Sequence, residues 1–150
     1  MENVEITRNK IHDYCVQLMY SFLILQKSES PIYFQDAVSN VVGLPYEECD
    51  VYLKEVLIKC LKNEDKIIDY VSKFLNNWTF DRLNETIQAI LIVAVCEYYL
   101  QSEPIDKAII INTSVKLSKR YGDGGQKDYK FVNAVLQNCL DDGRKNLLLD

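Results

Sequence analysis

One stretch constrains the whole chain. Within residues 87–99, every side chain from Ala89 to Cys96 is apolar. A helix with no polar face must be covered on all sides. The run falls well short of the ~20 residues that a membrane span needs, and Gln88 and Glu97 bound it. It is long for a buried strand, and its neighbours carry helical spacing. The sequence therefore predicts a central core helix over 87–99 with other helices packed around it. Each Leu or Ile fully buried there contributes roughly 1.5–3 kcal/mol.

The flanking segments read as those other helices. A first helix over 6–27 carries an apolar stripe of Ile11, Cys15, Leu18, Met19, Phe22 and Leu25. Pro31 opens a short helix over 32–41, which Gly43-Leu44-Pro45 ends. A helix over 46–61 starts with Glu47, Glu48 and Asp50 in one turn, where carboxylates favour the helix dipole. Asn63 reads as the N-cap of a helix over 64–75. Trp78 and Phe80 are expected to plug the connector into the core. Asn84 or Asp81 caps the central helix, which Ser102 to Pro104 ends. A helix over 107–121 is capped by Asp106 and turns Ala108, Ile111 and Val115 inward. Gly122-Asp123-Gly124-Gly125 ends it through a left-handed glycine. A last helix over 127–140 buries Val132, Val135, Leu136 and Cys139. The expectation is an all-α bundle of about seven helices. Residues 1–150 form a single domain, with 141–150 as a mobile tail.

Composition narrows the functional classes. A chain of 150 residues, 48% hydrophobic and 26% charged, suits one soluble globular domain. Residues 1–12 lack the apolar core of a signal peptide. Cys15, Cys49, Cys60, Cys96 and Cys139 form no CxxC pair and sit at apolar helical positions, so they read as reduced core residues of a cytoplasmic protein. The net charge of −5 argues against a generic nucleic-acid binder. The charge is uneven, however. Lys116, Lys119, Arg120, Lys127 and Lys130 face only Asp123 and Asp128 within residues 116–130, a candidate secondary basic patch. No phosphate loop follows a strand, His12 is the only histidine, and no Cys/His spacing suits zinc. Carboxylate pairs such as Glu47/Glu48 stand in helix first turns, where dipole complement explains them. The sequence thus predicts no enzyme, no cofactor, no metal site and no membrane span.

Three features exceed what packing requires. Arg8, Lys10 and His12 lead the first helix, and Gln17 and Tyr20 follow on it. A basic helix start beside an exposed aromatic can hold a phosphate chain and stack a base. The plain alternative is a solvated helix end. Asn112 and Asn133 are the other two features. Each lies inside a helix, where an amide normally needs a hydrogen-bonding reason, and a buried contact between helices is expected.

Taken together, these segments resemble the NusB family of bacterial transcription antitermination factors. The resemblance is carried by Gln17-Leu18-Met19-Tyr20-Ser21-Phe22, by Trp78 with Arg82-Leu83, and by Ala89-Ile90-Leu91 through Ala94 and Glu97. It continues in Ile111-Asn112 through Leu117, in Lys119-Arg120-Tyr121-Gly122, and in Lys130-Phe131-Val132-Asn133-Ala134-Val135-Leu136. Six segments in order span nearly the whole chain. The last is the most specific and differs from the common form by Ala134 in place of Gly.

The resemblance implies a compact fold of two helical subdomains. It also implies binding of boxA-type RNA together with a small-subunit ribosomal protein, called NusE in that role. That complex loads onto the RNA polymerase elongation complex and supports ribosomal RNA transcription; homodimers also occur in the family. The residues matching the family's RNA contacts are Arg8, Asn9, Lys10, His12 and Tyr20. There are departures. Asn9 and His12 stand at basic positions, and Thr113 replaces the Glu that usually follows Asn112. Lys59 stands where Gly is frequent, and Gln88 and Ile92 stand where many members have arginines. If those arginines face outward, a Gln88→Arg change is expected to leave stability nearly unchanged. The thinned basic N-terminus and the net acidity favour an alternative: a helical protein-interaction adaptor that kept the fold but weakened or lost specific RNA binding. An enzyme fragment, from the methyltransferases that carry the same helical domain, fits poorly, because 150 residues leave no room for a cofactor-binding domain.

Overall fold

The computed structural model describes residues 7–102, 105–121, 126–141 and 143. Among them are seven α-helices and no strand: α1 (Arg8–Lys27), α2 (Phe34–Val42), α3 (Val51–Lys62), α4 (Glu64–Ser72), α5 (Glu85–Tyr99), α6 (Lys107–Tyr121) and α7 (Gln126–Cys139). Short 3-10 turns precede α3 at Tyr46–Glu48 and α5 at Phe80–Arg82. The all-α expectation holds, and most boundaries fall within a few residues of those predicted.

Helix α5 is the hub. It packs against α1, α3, α4, α6 and α7, while α2 lies against α1. Every residue from Ala89 to Cys96 has zero solvent exposure. Around α5, α1 packs on α2 and α3, α6 packs on α7, and α4 touches both α3 and α7. The polar ends of α5 are satisfied internally. The Asn84 side chain caps its start by accepting from the Ile87 N–H at 2.9 Å. Near its end, the Tyr99 hydroxyl lies 2.8 Å from both the Tyr70 hydroxyl of α4 and the Cys139 carbonyl of α7. One hydroxyl pair therefore closes three helices around an otherwise orphaned helix-end carbonyl. All five cysteines are free and buried, as expected. Burial holds the thiols of Cys15 and Cys60 well above the ordinary range, so both keep their protons.

Local physics explains where the structure departs from these expectations. Glu47 and Glu48 form a separate 3-10 turn, and Asp50 alone caps α3 by accepting from the Leu53 N–H at 3.0 Å. The Asn63 side chain does not cap α4; its amide donates to the Lys59 carbonyl at 2.9 Å and so closes α3. Gly43 adopts φ 83°, the left-handed end of α2 that its position suggested. Trp78 is not plugged into the core. It is 54% exposed and lies edge-on to Phe131, while Phe80 is turned inside. Asn112 and Asn133 are exposed, not buried between helices. On α6 the inward positions are Ile110, Ile111, Ser114, Leu117 and Ser118, which leaves Ala108 and Asn112 outside. Gln88 and Ile92, at a surface only if the family's arginines there face outward, are both buried, because neighbouring helices cover α5 on all sides. The ends predicted at Pro104 and at Gly122–Gly125, and nearly all of the tail, lie outside the described residues.

Candidate nucleic-acid interface

The first four turns of α1 carry the candidate residues, and helical spacing sorts most of them onto two sides. Thr7 caps the helix by accepting from the Lys10 N–H at 3.2 Å, which fixes the first turn. Arg8 and His12, four apart, face α3 and α5. Asn9, Asp13 and Gln17, also four apart, face α6.

On the α5 side, His12 is buried, so it is not a surface contact and leaves the set of direct RNA ligands. Its Nδ1 meets Glu97 Oε1, and the Tyr52 hydroxyl donates to Glu97 Oε2 at 2.9 Å. A carboxylate can only accept, so Nδ1 is the protonated ring nitrogen. Burial and the Glu97 charge raise the Tyr52 hydroxyl far above the ordinary tyrosine range and keep it a donor. The Arg8 guanidinium lies over the Tyr52 ring, 3.8 Å from its centroid. A cation held on an aromatic face keeps its N–H edge free for phosphate. His12 and Glu97 therefore set where Arg8 stands without touching a ligand themselves.

On the α6 side, Asp13 is the organiser. It is 4% exposed. Its Oδ1 accepts from the Tyr121 hydroxyl at 2.7 Å and from Gln17 Nε2 at 3.0 Å, and its Oδ2 accepts from Arg120 Nη1 at 3.3 Å. Burial and then the bond to Asp13 raise the Tyr121 pKa, so this hydroxyl also stays a donor. These bonds fasten the end of α6 to α1. A groove of about 280 Å³ results, lined by Thr7, Asn9, Lys10, Asp13, Thr113, Lys116, Leu117 and Arg120. Next to it lies a pocket of about 400 Å³ lined by Val16, Gln17, Tyr20, Ser21, Thr86 and Tyr121. Tyr20 is 42% exposed there, as a stacking role requires.

The structure thus merges part of two predicted sites. Lys116 and Arg120, read as a separate basic patch, share one groove with Asn9 and Lys10. Lys119 does not join them; its ammonium sits 4.4 Å from the Tyr129 ring centroid. Lys130 is exposed on α7, and the Lys127 side chain lies outside the described residues. A larger groove of about 640 Å³ runs past Trp78, Leu23, Ile68 and Phe80. Among the described residues its one cation is Lys27, which Glu85 engages, so it offers phosphate little. Sequence reasoning missed Asp13, Thr113 and Tyr121. The Asn9–Asp13–Gln17 spacing was the available signal for Asp13. Nothing local connects α1 to Tyr121, more than a hundred positions away.

The fold and this face define a class: a small all-α protein with a cation-lined, aromatic-edged groove between its first and sixth helices. The chain belongs to the NusB family, whose model matches residues 10–141. It is 35% identical to the transcription antitermination protein NusB of Bacillus pumilus (strain SAFR-032), over 73% of this chain and 86% of that one. It is 32% identical to that of Bacillus subtilis (strain 168), over 79% of this chain and 87% of the other. Among solved structures, T. maritima NusB has the same fold, with a TM-score of 0.75 at 19% identity over 93% of this chain and 94% of that chain.

Proposed function

We propose that this chain is a transcription antitermination factor that binds boxA-type RNA on the α1–α6 face and acts in the cytoplasm. It does so with a small-subunit ribosomal protein in the NusE role, on the RNA polymerase elongation complex. The observation that carries this reading is that Lys10, Lys116 and Arg120, from two helices, line one groove beside exposed Tyr20. Cations on a groove wall track phosphates, and an adjoining aromatic stacks a base. Arg8, Asn9, Lys10 and Tyr20 are the direct contacts from α1, joined by Lys116 and Arg120 from α6. His12 acts by positioning α1. The relatives' name, transcription antitermination protein, supports the same reading.

The test is RNA binding to a boxA-type oligonucleotide, with and without the ribosomal protein, across a salt series. A Lys10/Lys116 double alanine should weaken binding and lower the salt slope by about 0.7 for each phosphate that is no longer neutralised. An unchanged slope would remove this groove from the RNA path.

Three observations favour the adaptor reading. The net charge is −5, Arg120 is paired with Asp13, and His12 is withdrawn into the core. A pull-down that recovers the ribosomal protein but no RNA would select it.

A further inference from the structure

In the pocket beside Tyr20, the orientation of the Gln17 amide is fixed by its surroundings. Asp13 is buried, and as a carboxylate it only accepts. The group that Gln17 turns toward it must therefore be the NH2 end of the amide, at 3.0 Å. The second amide hydrogen points to the Tyr121 oxygen at 3.4 Å. That oxygen is available because the Tyr121 proton is itself committed to Asp13 at 2.7 Å. Each hydrogen of the three groups thus has one destination. Both N–H bonds of Gln17 face protein, and its Oε1 accepts from no group among the described residues. Tyr20 and Tyr121, 42% and 38% exposed, present ring surface on the same pocket of about 400 Å³.

We propose that this pocket is a nucleobase subsite that selects a base bearing an exocyclic amino group. It rests on the RNA-binding reading and adds to it a rule of specificity. The base stacks on a tyrosine ring and donates from its amino group to Gln17 Oε1. Cytosine offers N4–H2 there, whereas uracil offers the O4 acceptor at the equivalent position, and two acceptors repel. Asp13 is the positioning residue. It touches no RNA, but it prevents the Gln17 amide from turning over to present a donor instead.

The experiment compares two isosteric probes, the single-stranded RNAs rC12 and rU12, by fluorescence anisotropy at low salt. Wild type is expected to prefer rC12 by roughly fivefold, the lower end of what one base-edge contact discriminates. Gln17→Leu should bring the ratio close to one by weakening rC12 binding. Asp13→Asn should do the same with Gln17 intact, because an asparagine can donate as well as accept and frees the amide to turn. Its far-ultraviolet circular dichroism checks that it folds, and Gln17→Leu tests the subsite independently. Wild type binding both RNAs equally, or a preference that survives Gln17→Leu, overturns the subsite alone. Binding of neither homopolymer while a boxA-type oligonucleotide still binds overturns the subsite alone, and failure to bind the boxA-type oligonucleotide as well, with or without the ribosomal protein, overturns both the subsite and the RNA-binding function.

Discussion

Helices α1 and α5 are tied at both ends, and the two ties differ in kind. At the start of α1, His12 meets Glu97 near the end of α5, with side chains 4% and 5% exposed. At the end of α1, Lys27 meets Glu85 at the start of α5, with side chains 51% and 28% exposed. The pairings run the helices antiparallel. The inner tie also holds Tyr52 of α3 and, through its ring, Arg8. It locks three helices and sets where Arg8 stands on the proposed RNA face. The outer tie holds only its two partners, in reach of water and salt. The same chemistry is thus structural where it is dry and close to neutral where it is wet.

The strongest way to break this comparison is Glu97→Ala. It removes the acceptor from His12 Nδ1 and from the Tyr52 hydroxyl inside the core. Removing one partner of a buried pair typically costs about 3–5 kcal/mol. Urea unfolding should show the midpoint falling at an unchanged m-value. A cost below about 1 kcal/mol would show that the inner tie is dispensable, since an ordinary net hydrogen bond is worth that much.

Gln88→Arg comes next. Gln88 is 3% exposed, and its amide donates to the Phe80 and Leu83 carbonyls, both at 2.9 Å. This bond pair pins the 3-10 turn onto α5. An arginine must keep those bonds while bringing a charge under the turn, at a cost of about 1–3 kcal/mol. A neutral result in thermal unfolding would mean that the guanidinium escapes into the groove beside Trp78, which Gln88 also lines.

Gln88 also marks where the sequence stopped being informative. The apolar run 89–96 announced a helix covered on all sides, and periodicity placed α1, α3, α4 and α7 with their inward faces. Those signals are local and repeat every three or four residues. Gln88 at the run's edge reads as polar and therefore outward. It is inside only because the turn at Phe80–Arg82 folds back over it. His12 reads as one more cation of a basic helix start. It is inside because Glu97 lies opposite, a partner 85 positions away. The same holds for the site. Tyr20 and the basic start of α1 were visible, but the merger with Lys116 and Arg120 depends on Asp13 bridging two helices that are adjacent only in the folded chain. Trp78 departs for the opposite reason: the size of both connector aromatics suggested burial, but the local turn puts only Phe80 inside.

A smaller effect sharpens the inner tie. Tyr52→Phe removes one hydrogen bond to a charged acceptor and keeps the ring under Arg8, at a cost of about 1–2 kcal/mol. The pH dependence gives the sign. The folded protein holds the Tyr52 proton more tightly than the unfolded chain does, so the contribution is complete below the ordinary tyrosine value of about 10 and is lost as pH rises beyond it. Tyr52→Phe should therefore flatten the alkaline limb of the stability profile. A limb unchanged in the variant would assign alkaline unfolding to other groups.

The outer tie gives the smallest effect and the clearest contrast. Glu85→Gln removes the charge that Lys27 engages, and an exposed pair of this kind is worth about 0.2–1 kcal/mol. The bond from Lys27 and then the backbone N–H of its own first turn hold the Glu85 carboxyl below its ordinary range. A depressed carboxylate contributes stability above its unfolded value of about 4.3 and loses it as pH falls through the lower folded one. The difference between wild type and Glu85→Gln, measured by urea unfolding at pH 7, should therefore vanish in strong acid. It should also shrink at 1 M salt, where charges more than about 3 Å apart in water are screened. The Glu97→Ala cost should stay nearly constant across the same salt series, because no ions reach that pair. Equal salt dependence at the two ends would mean that burial is not what separates them, and that the His12–Glu97 end opens to water far more readily than its packing implies.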